Sequence, residues 1–396
     1  MKVEIIQHES GELLPLILDN DGLPNPSLNE FIISRRGKGF GTMVRNSREL
    51  IIFNTWLEKH NIDLNGRIEN NHYFTEAEIK GSLVEFLRLN HEKRTKVKKL
   101  VVKPDTFNQR LITVRQYLSW YFNILIGCIP RKSGSYSFLT ENKNRTLDLL
   151  EGSFINSPPT NKSVRKALNL KEVDFLISVL NPENSNTFGR DPNVRYRNYI
   201  STMIMLYYGL RPGELLCLRV SDIEIGAISS IRVERRPPDT MDTRKPRPHI
   251  KRNGRILPIE DPLFAKSLDI YITEYRDLLE DASDSESDYL ILSDDGIPLS
   301  QSSITQFFQL VRAKYKGDLP AHLTAKALRH TFSIEMERIL RNSGMGEDKR
   351  KQALALLRGD SSLSSQDAYL GQEVEEQANK ALKKYQQDLI MEDIPW

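Results

Sequence analysis

The chain has 396 residues, 39% of them hydrophobic and 28% charged, and its 56 basic and 53 acidic side chains leave a net charge of only +3. That length asks for about two or three domains, and the composition excludes wholesale disorder. So small a net charge excludes a uniformly basic coat, so a nucleic-acid partner would have to be met by a local concentration of cations.

Residues 1–41 mix short apolar runs, Leu13 to Leu18 and Phe31 to Ile33, with Asp, Gly, Asn and Pro turns, and they end in Arg35-Arg36-Gly37-Lys38-Gly39. They read as an extended arm or small β element. From Thr42 the pattern turns helical, with Leu50, Phe53, Trp56 and Leu57 on one side. Thr75 and Glu78 have the spacing of a capping box, opening a helix that buries Ile79, Leu83, Phe86 and Leu87. A further helix after Asp105 carries the stripe Leu111, Val114, Tyr117, Leu118 and Tyr121, so residues 42–150 form a compact helical domain. Between its helices, Lys93, Arg94, Lys96, Lys98, Lys99 and Lys103 run without an acid among them. Such a run is either a solvated loop or a grip on phosphate backbone.

Residues 151–164 hold Pro158-Pro159 among Ser, Thr and Asn, a linker composition. Asn169 with Glu172 caps the next helix, whose stripe is Val173, Leu176 and Leu180, and an apolar helix over 194–208 stops at Gly209. Strands are expected at Ile228 to Val233 and Arg255 to Ile259, flanking a basic, Pro-rich insertion, and Asn253-Gly254 predicts a tight hairpin turn. The acidic stretch Glu280 to Asp288 reads as a solvated loop, and helices follow to the end. A charged helix from Glu373 to Gln387 precedes an apolar ending, Leu389 to Trp396, which docks either on its own domain or on a neighbouring copy. Cys128 and Cys217 sit in apolar helix-like runs without metal-ligand spacing and are expected as reduced core thiols of an intracellular protein. No signal-like N-terminus or bilayer-length apolar run occurs, so a cytoplasmic, nucleoid-associated protein with no membrane partner is expected.

Three segments of residues 165–396 carry chemistry. In Tyr208-Gly209-Leu210-Arg211-Pro212-Gly213-Glu214, the proline favours a helix start, which puts Arg211 where backbone donors also suit a phosphate. The second segment is Lys326-Ala327-Leu328-Arg329-His330-Thr331, and the third runs from Gly359-Asp360 to Tyr369. Two arginines and a late tyrosine, in this order and context, resemble the tyrosine recombinase (phage integrase) family, which cuts and rejoins DNA through a protein–phosphotyrosine link. The resemblance covers residues 165 to 375 well and the preceding hundred or so more loosely.

The resemblance implies a mainly α fold with a small β-sheet: a helical, SAM-like core-binding domain at 42–150 and an α+β catalytic domain at 165–396. It also implies the roles. Tyr369 would attack the scissile phosphate, and Arg211 and Arg329 would hold the charge that develops on its oxygens, a task suited to a planar guanidinium that does not deprotonate. Lys251, beside the expected hairpin, would protonate the leaving 5′ oxygen. Arg255 matches a basic residue that often follows and is assigned with Lys93, Arg94, Lys96, Lys98 and Lys99 to DNA contact. Glu214 completes the family's Arg-x-x-Glu and would orient its neighbours.

Two positions depart from the family pattern. Lys326 stands where a histidine is usual; it can donate to phosphate but accepts a proton poorly near neutral pH. His330 is then either a helix residue or a substitute for the missing imidazole. Asp360 replaces a His or Trp, and an ionised carboxylate there would repel phosphate unless it turned away or paired with Arg358. The reading is thus a site-specific recombinase or integrase, expected from a mobile element, that needs no metal or cofactor and acts on double-stranded DNA as a homotetramer over two sites. A type IB topoisomerase and a catalytically impaired DNA-binding relative are the alternatives.

Overall fold

A computed structural model describes residues 1–70, 72–91, 101–156, 167–184, 187–189, 191–250, 254–360 and 368–389, the side chains of 368–373 excepted. The chain divides into two units, Met1–Thr160 and Asn161–Trp396, and both are mainly helical with a small sheet.

The first unit opens with a hairpin. Strand β1 (Lys2–Gln7) pairs antiparallel with β2 (Leu13–Leu18), Lys2 lying opposite Leu18 and Gln7 opposite Leu13. Asn29 of α1 (Pro26–Ser34) closes the other edge of β2, accepting from the Ile17 N–H at 2.8 Å and donating to the Ile17 carbonyl at 2.8 Å. A buried strand edge is satisfied in this way by one side-chain amide. Residues 1–41 are therefore no detached arm. Ile17, Leu28, Phe31 and Ile32 share one core with Leu50, Phe53 and Trp56 of α2 (Phe40–Lys59), because alternating and helical apolar stripes of this short segment have no other surface to bury against.

Helix α3 (Leu64–Glu69) follows, and the Thr75–Glu78 box forms: the Thr75 N–H donates to Glu78 Oε2 at 2.8 Å and the Glu78 N–H to Thr75 Oγ1 at 3.2 Å. It opens a π-helical stretch, Ala77–Leu83, that continues as α4 (Val84–Arg88) and buries Ile79, Leu83 and Leu87. The long α5 (Pro104–Gly127) and α6 (Gly134–Glu151) complete the unit. Thr113 of α5 accepts from Asn46 Nδ2 at 2.7 Å and donates to Glu49 at 2.6 Å, a buried polar link to α2. Cys128, expected in the core, is exposed, since it is the residue on which α5 ends.

In the second unit Asn169 and Glu172 cap α7 (Leu170–Leu180) reciprocally, and α8 (Pro192–Tyr208) is buried along most of its length. The one-turn α9 (Pro212–Leu215) leads to an antiparallel sheet of β3 (Ile223–Glu224), β4 (Ser229–Val233) and β5 (Arg255–Ile259) in that order. Asn253 of the expected tight turn lies outside the described residues. Strand β5 pairs with β4, Val233 opposite Arg255, across the whole connection 234–254, and residues 245–250 form no strand. Gly254 serves close approach: a Cβ there would lie 2.8 Å from the Val233 carbonyl oxygen.

Helix α10 (Pro262–Ile270) runs through a π stretch, Tyr271–Arg276, into α11 (Asp277–Glu280). Then come α12 (Gln301–Lys314), α13 (Ala325–Asn342), α14 (Glu347–Leu357) and α15 (Ala368–Leu389). Helix α15 docks on its own unit, burying Val374, Ala378, Leu382 and Tyr385, while Tyr385 donates to the Leu206 carbonyl at 3.1 Å and Gln386 accepts from the Glu260 N–H at 2.9 Å. The apolar ending beyond Leu389 lies outside the described residues. No described helix is long and apolar enough to cross a membrane.

Candidate active site

The site begins where α8 stops. Gly209 caps that helix in the left-handed conformation, φ +58°, and a Cβ on it would fall inside the Phe332 ring, so the position needs glycine twice over. Its carbonyl accepts from Arg329 Nη1 at 2.6 Å. The tight turn after Gly209 puts Arg211 at the N-cap of α9. That helix is a single turn, too short for a macrodipole to add much, so the guanidinium groups dominate the local charge.

Glu214, buried to 1% exposure, organises the cluster. It accepts from the Arg211 N–H at 2.9 Å, from Arg211 Nη1 at 2.8 Å and from Arg255 Nη2 at 3.2 Å, and Arg329 Nη1 stands 3.9 Å away. Burial alone would raise its pKa, but Arg255, the Arg211 backbone donor and the Arg211 charge outweigh burial and hold it below the usual glutamate range. Glu214 thus fixes two arginines by one rigid, ionised carboxylate.

Arg329 arrives on the second turn of α13, whose first turn is capped by Thr324. Its side chain is 7% exposed, and burial, followed by repulsion from Arg211 and Arg358, brings its pKa down to about 10, so it stays charged near neutrality. Arg211, the more accessible of the two, moves the opposite way. Burial would lower its pKa, but Glu214 and Asp360 together raise it.

The two arginines meet at Asp360. Arg211 Nη2 is in close contact with Asp360 Oδ1, and Arg329 Nη2 donates to the same oxygen at 3.3 Å. Arg358 Nη2 pairs with Oδ2 at 3.2 Å, and the Arg358 carbonyl accepts from Arg329 Nη2 at 3.1 Å and Arg211 Nη1 at 3.4 Å. Asp360 is aimed there by Gly359, φ +62°, which ends α14 in a left-handed turn: the Gly359 N–H donates to the Leu356 carbonyl at 2.9 Å and the Asp360 N–H to the Ala355 carbonyl at 2.8 Å. Burial opposes ionisation of Asp360, but Arg358, Arg329 and Arg211 prevail and depress its pKa. Of the two possibilities left by the sequence, turning away is excluded, and pairing extends past Arg358 to both clamp arginines.

Arg211, Arg329, Arg255 and Arg358 set against Glu214 and Asp360 leave two positive charges in surplus. An arrangement of this kind binds a phosphate and gains from charge developing on it. No described group of three or more His, Cys, Asp and Glu side chains is placed to hold a metal ion.

The remaining sequence-predicted residues fall as follows. Arg255, assigned to DNA contact, has a side chain only 7% exposed and serves as the buried partner of Glu214. Burial lowers its pKa against the pull of Glu214. The first residue of β5 points inward because its register with Val233 leaves it no other direction. Lys326 is exposed on the first turn of α13, one turn before Arg329, and His330 is half-buried on the same helix. Tyr369 is the second residue of α15; its side chain, like Lys251 and like Lys93, Arg94, Lys96, Lys98 and Lys99, lies outside the described residues. Sequence reasoning named the Arg358 guanidinium as a partner of Asp360 but missed the Arg358 carbonyl, which accepts from both arginines, and the Gly209 carbonyl. The run Arg358-Gly359-Asp360 at a helix end was a legible sign of the first; nothing local marks the second.

With this geometry in view, the sequence and the fold can be set beside known proteins. The model of the phage integrase family matches residues 168–348. Among solved structures, the XerH site-specific recombinase bound to difH substrate in a pre-cleavage complex aligns with 92% of this chain and 83% of its own at 14% identity, with a TM-score of 0.52. The post-cleavage complex of XerH on a palindromic difH substrate aligns with 91% of this chain and 84% of its own at 14% identity, TM-score 0.51. The Tn1549 transposon integrase in complex with a circular intermediate DNA covers 88% of this chain and 97% of its own at 17% identity, TM-score 0.47. No curated protein sequence matches the chain. At these identities the two XerH structures establish a shared fold.

Proposed function

We propose, from the premise that residues 168–348 belong to the phage integrase family, that this protein is a site-specific recombinase that breaks and rejoins DNA through a covalent tyrosine link. One observation carries the reading: Arg211 and Arg329, remote in sequence, direct donors at a single acceptor atom, braced by a buried carboxylate. A phosphodiester set at that point would have its non-bridging oxygens held where charge grows during displacement.

Tyr369, at the start of α15, is the nucleophile in this reading. Its oxygen bonds to phosphorus as the bond to the 5′ oxygen breaks, giving a 3′-phosphotyrosine and a 5′ hydroxyl. The phenol proton, with an ordinary pKa near ~10, must be lost on attack, and the leaving oxygen takes a proton from Lys251. Lys326, exposed beside Arg329, adds a further donor to the phosphate. Rejoining reverses the steps with a different 5′ hydroxyl, so the bond energy is kept in the adduct. The unit Met1–Thr160, with the basic run from Lys93 to Lys103, grips the DNA backbone, and homotetramers assemble on two sites.

The test uses duplexes nicked beside the cleavage point, which trap the adduct because the released strand diffuses away. Wild-type protein should accumulate a covalent protein–DNA species. Tyr369→Phe should form none while binding DNA as before, and an adduct formed by the phenylalanine variant ends the assignment. Asp360 in the clamp favours one second reading, a DNA-binding relative with an impaired site. Failure of the wild type to trap any adduct would decide for it.

A further inference from the structure

In the mechanism above Asp360 has no step, yet it pairs with three of the four arginines of the cluster. Its Oδ1 receives both Arg211 and Arg329, its Oδ2 receives Arg358, and its side chain is 23% exposed, so it lies at the mouth and not in the core. The Nη1 groups of the two clamp arginines are committed elsewhere, Arg211 Nη1 to Glu214 and Arg329 Nη1 to the Gly209 carbonyl, and Arg329 Nη2 shares its donors between Asp360 and the Arg358 carbonyl. The pair of Nη2 groups that face a common acceptor is thus the pair a phosphate would need, and a carboxylate oxygen already holds it. The Gly359 turn is made by backbone hydrogen bonds alone, and the charge surplus of the cluster would rise without Asp360.

We propose that Asp360 is a resident counter-anion of the arginine clamp, a specificity-determining residue that stands in for the scissile phosphate and must be displaced by it. This inference rests on the reading of Arg211 and Arg329 as the phosphate clamp. The exchange is one anion for another, with no bond made or broken. A backbone phosphate that drifts in from any duplex must compete with a carboxylate tethered at high local concentration. Only a phosphate held in place by the protein's other contacts with a full site displaces it. The clamp is thereby kept assembled without DNA, its guanidinium groups already aligned, and is closed to loosely bound phosphates.

The experiment measures inorganic phosphate binding by the full chain, in a Tyr369→Phe background so that no cleavage enters the readout. Titration at constant ionic strength is followed by thermal shift for the parent, Asp360→Asn and Asp360→Ala. Both substitutions should lower the phosphate concentration needed for half-maximal stabilisation by at least tenfold, and Arg211→Ala in the Asp360→Asn background should abolish that gain. A purely structural aspartate predicts the reverse, a lower Tm without phosphate and no gain with it. Unchanged or weaker phosphate binding in either variant overturns the proposal, as does loss of the folded state in both. Because the nucleophile plays no part in this readout, failure here leaves the trapping experiment standing, and failure of trapping leaves this result intact.

Discussion

Two arginine–carboxylate networks lie in the second unit, built from the same side chains and opposite in sign. Around Glu214 and Asp360 are gathered Arg211, Arg255, Arg329 and Arg358, a surplus of cations. Around Arg219 and Arg236 are gathered Asp222, Asp239, Asp288 and Glu234, a surplus of anions. The second network ties the end of α9, the β4 strand exit and the acidic loop together, and Asp222, at 1% exposure, is its buried hub as Glu214 is of the first. Ion pairing is therefore not what marks a site. A structural network can leave anions in excess because they face water, whereas a phosphate site must leave cations in excess after its internal pairs are counted.

The contrast is broken most severely at the first hub. Glu214→Gln keeps the shape and removes the charge, leaving buried Arg255 without its anionic partner, and unfolding measurements should show a loss of about 3–5 kcal/mol. The depressed pKa of Glu214 sets the pH window. The stabilisation is complete above the ordinary glutamate value of 4.5 and disappears as pH falls through the lower folded value, so the Tm gap between parent and variant should close in acid. A gap that did not shrink at all as the solution was acidified below the ordinary glutamate value would mean that the carboxylate's charge is not the stabilising element.

Next in size is the difference between arginines of the two networks. Arg329→Ala should slow adduct formation by about 10²–10³, on the order of 3 kcal/mol of transition-state stabilisation. Arg236→Ala, in the anionic network, should change it by less than about threefold, since its partner Asp222 faces no phosphate. Equal effects at the two sites would contradict the assignment by charge surplus.

A smaller effect is expected at the backbone that joins the clamp. Gly209→Ala places a side chain in a left-handed conformation costing about 1–2 kcal/mol, and its clash with Phe332 adds to that. Because the Gly209 carbonyl holds Arg329 Nη1, cleavage should fall further than the drop in Tm accounts for. The smallest is Asn169→Ala, which removes one cap of α7 and no partner of either network, and should cost about 1 kcal/mol in stability with less than about a twofold change in cleavage.

How much of this was readable without coordinates follows from the range of each interaction. The capping boxes at Thr75 and Asn169 and the Arg211–Glu214 pair are three-residue contacts, fixed as soon as a helix forms. The apolar stripes of α2, α5, α7 and α8 likewise follow from helical spacing. The strands β4 and β5 are legible from their apolar runs, but their pairing is not, since Gly254 approaches a carbonyl on a strand that ended twenty-odd residues earlier. For residues 1–41 the small β element forms, but its packing on the helices is not legible in sequence, because two strands and one helix are each too short to show what they pack against.

The sequence by itself supplied the candidate groups: two arginines, a glutamate and a late tyrosine, in a pattern that resembles the phage integrase family. Only the tertiary structure decided their accounts with one another. It buried Arg255 against Glu214, made the Gly209 carbonyl a fixed point for Arg329, and brought Asp360 onto Arg211 across 149 residues. Propensity and motif act over one turn of helix, but the sign and reach of a charged site are sums over all groups packed around it. That sum exists only once α8, α13, α14 and β5 have come together.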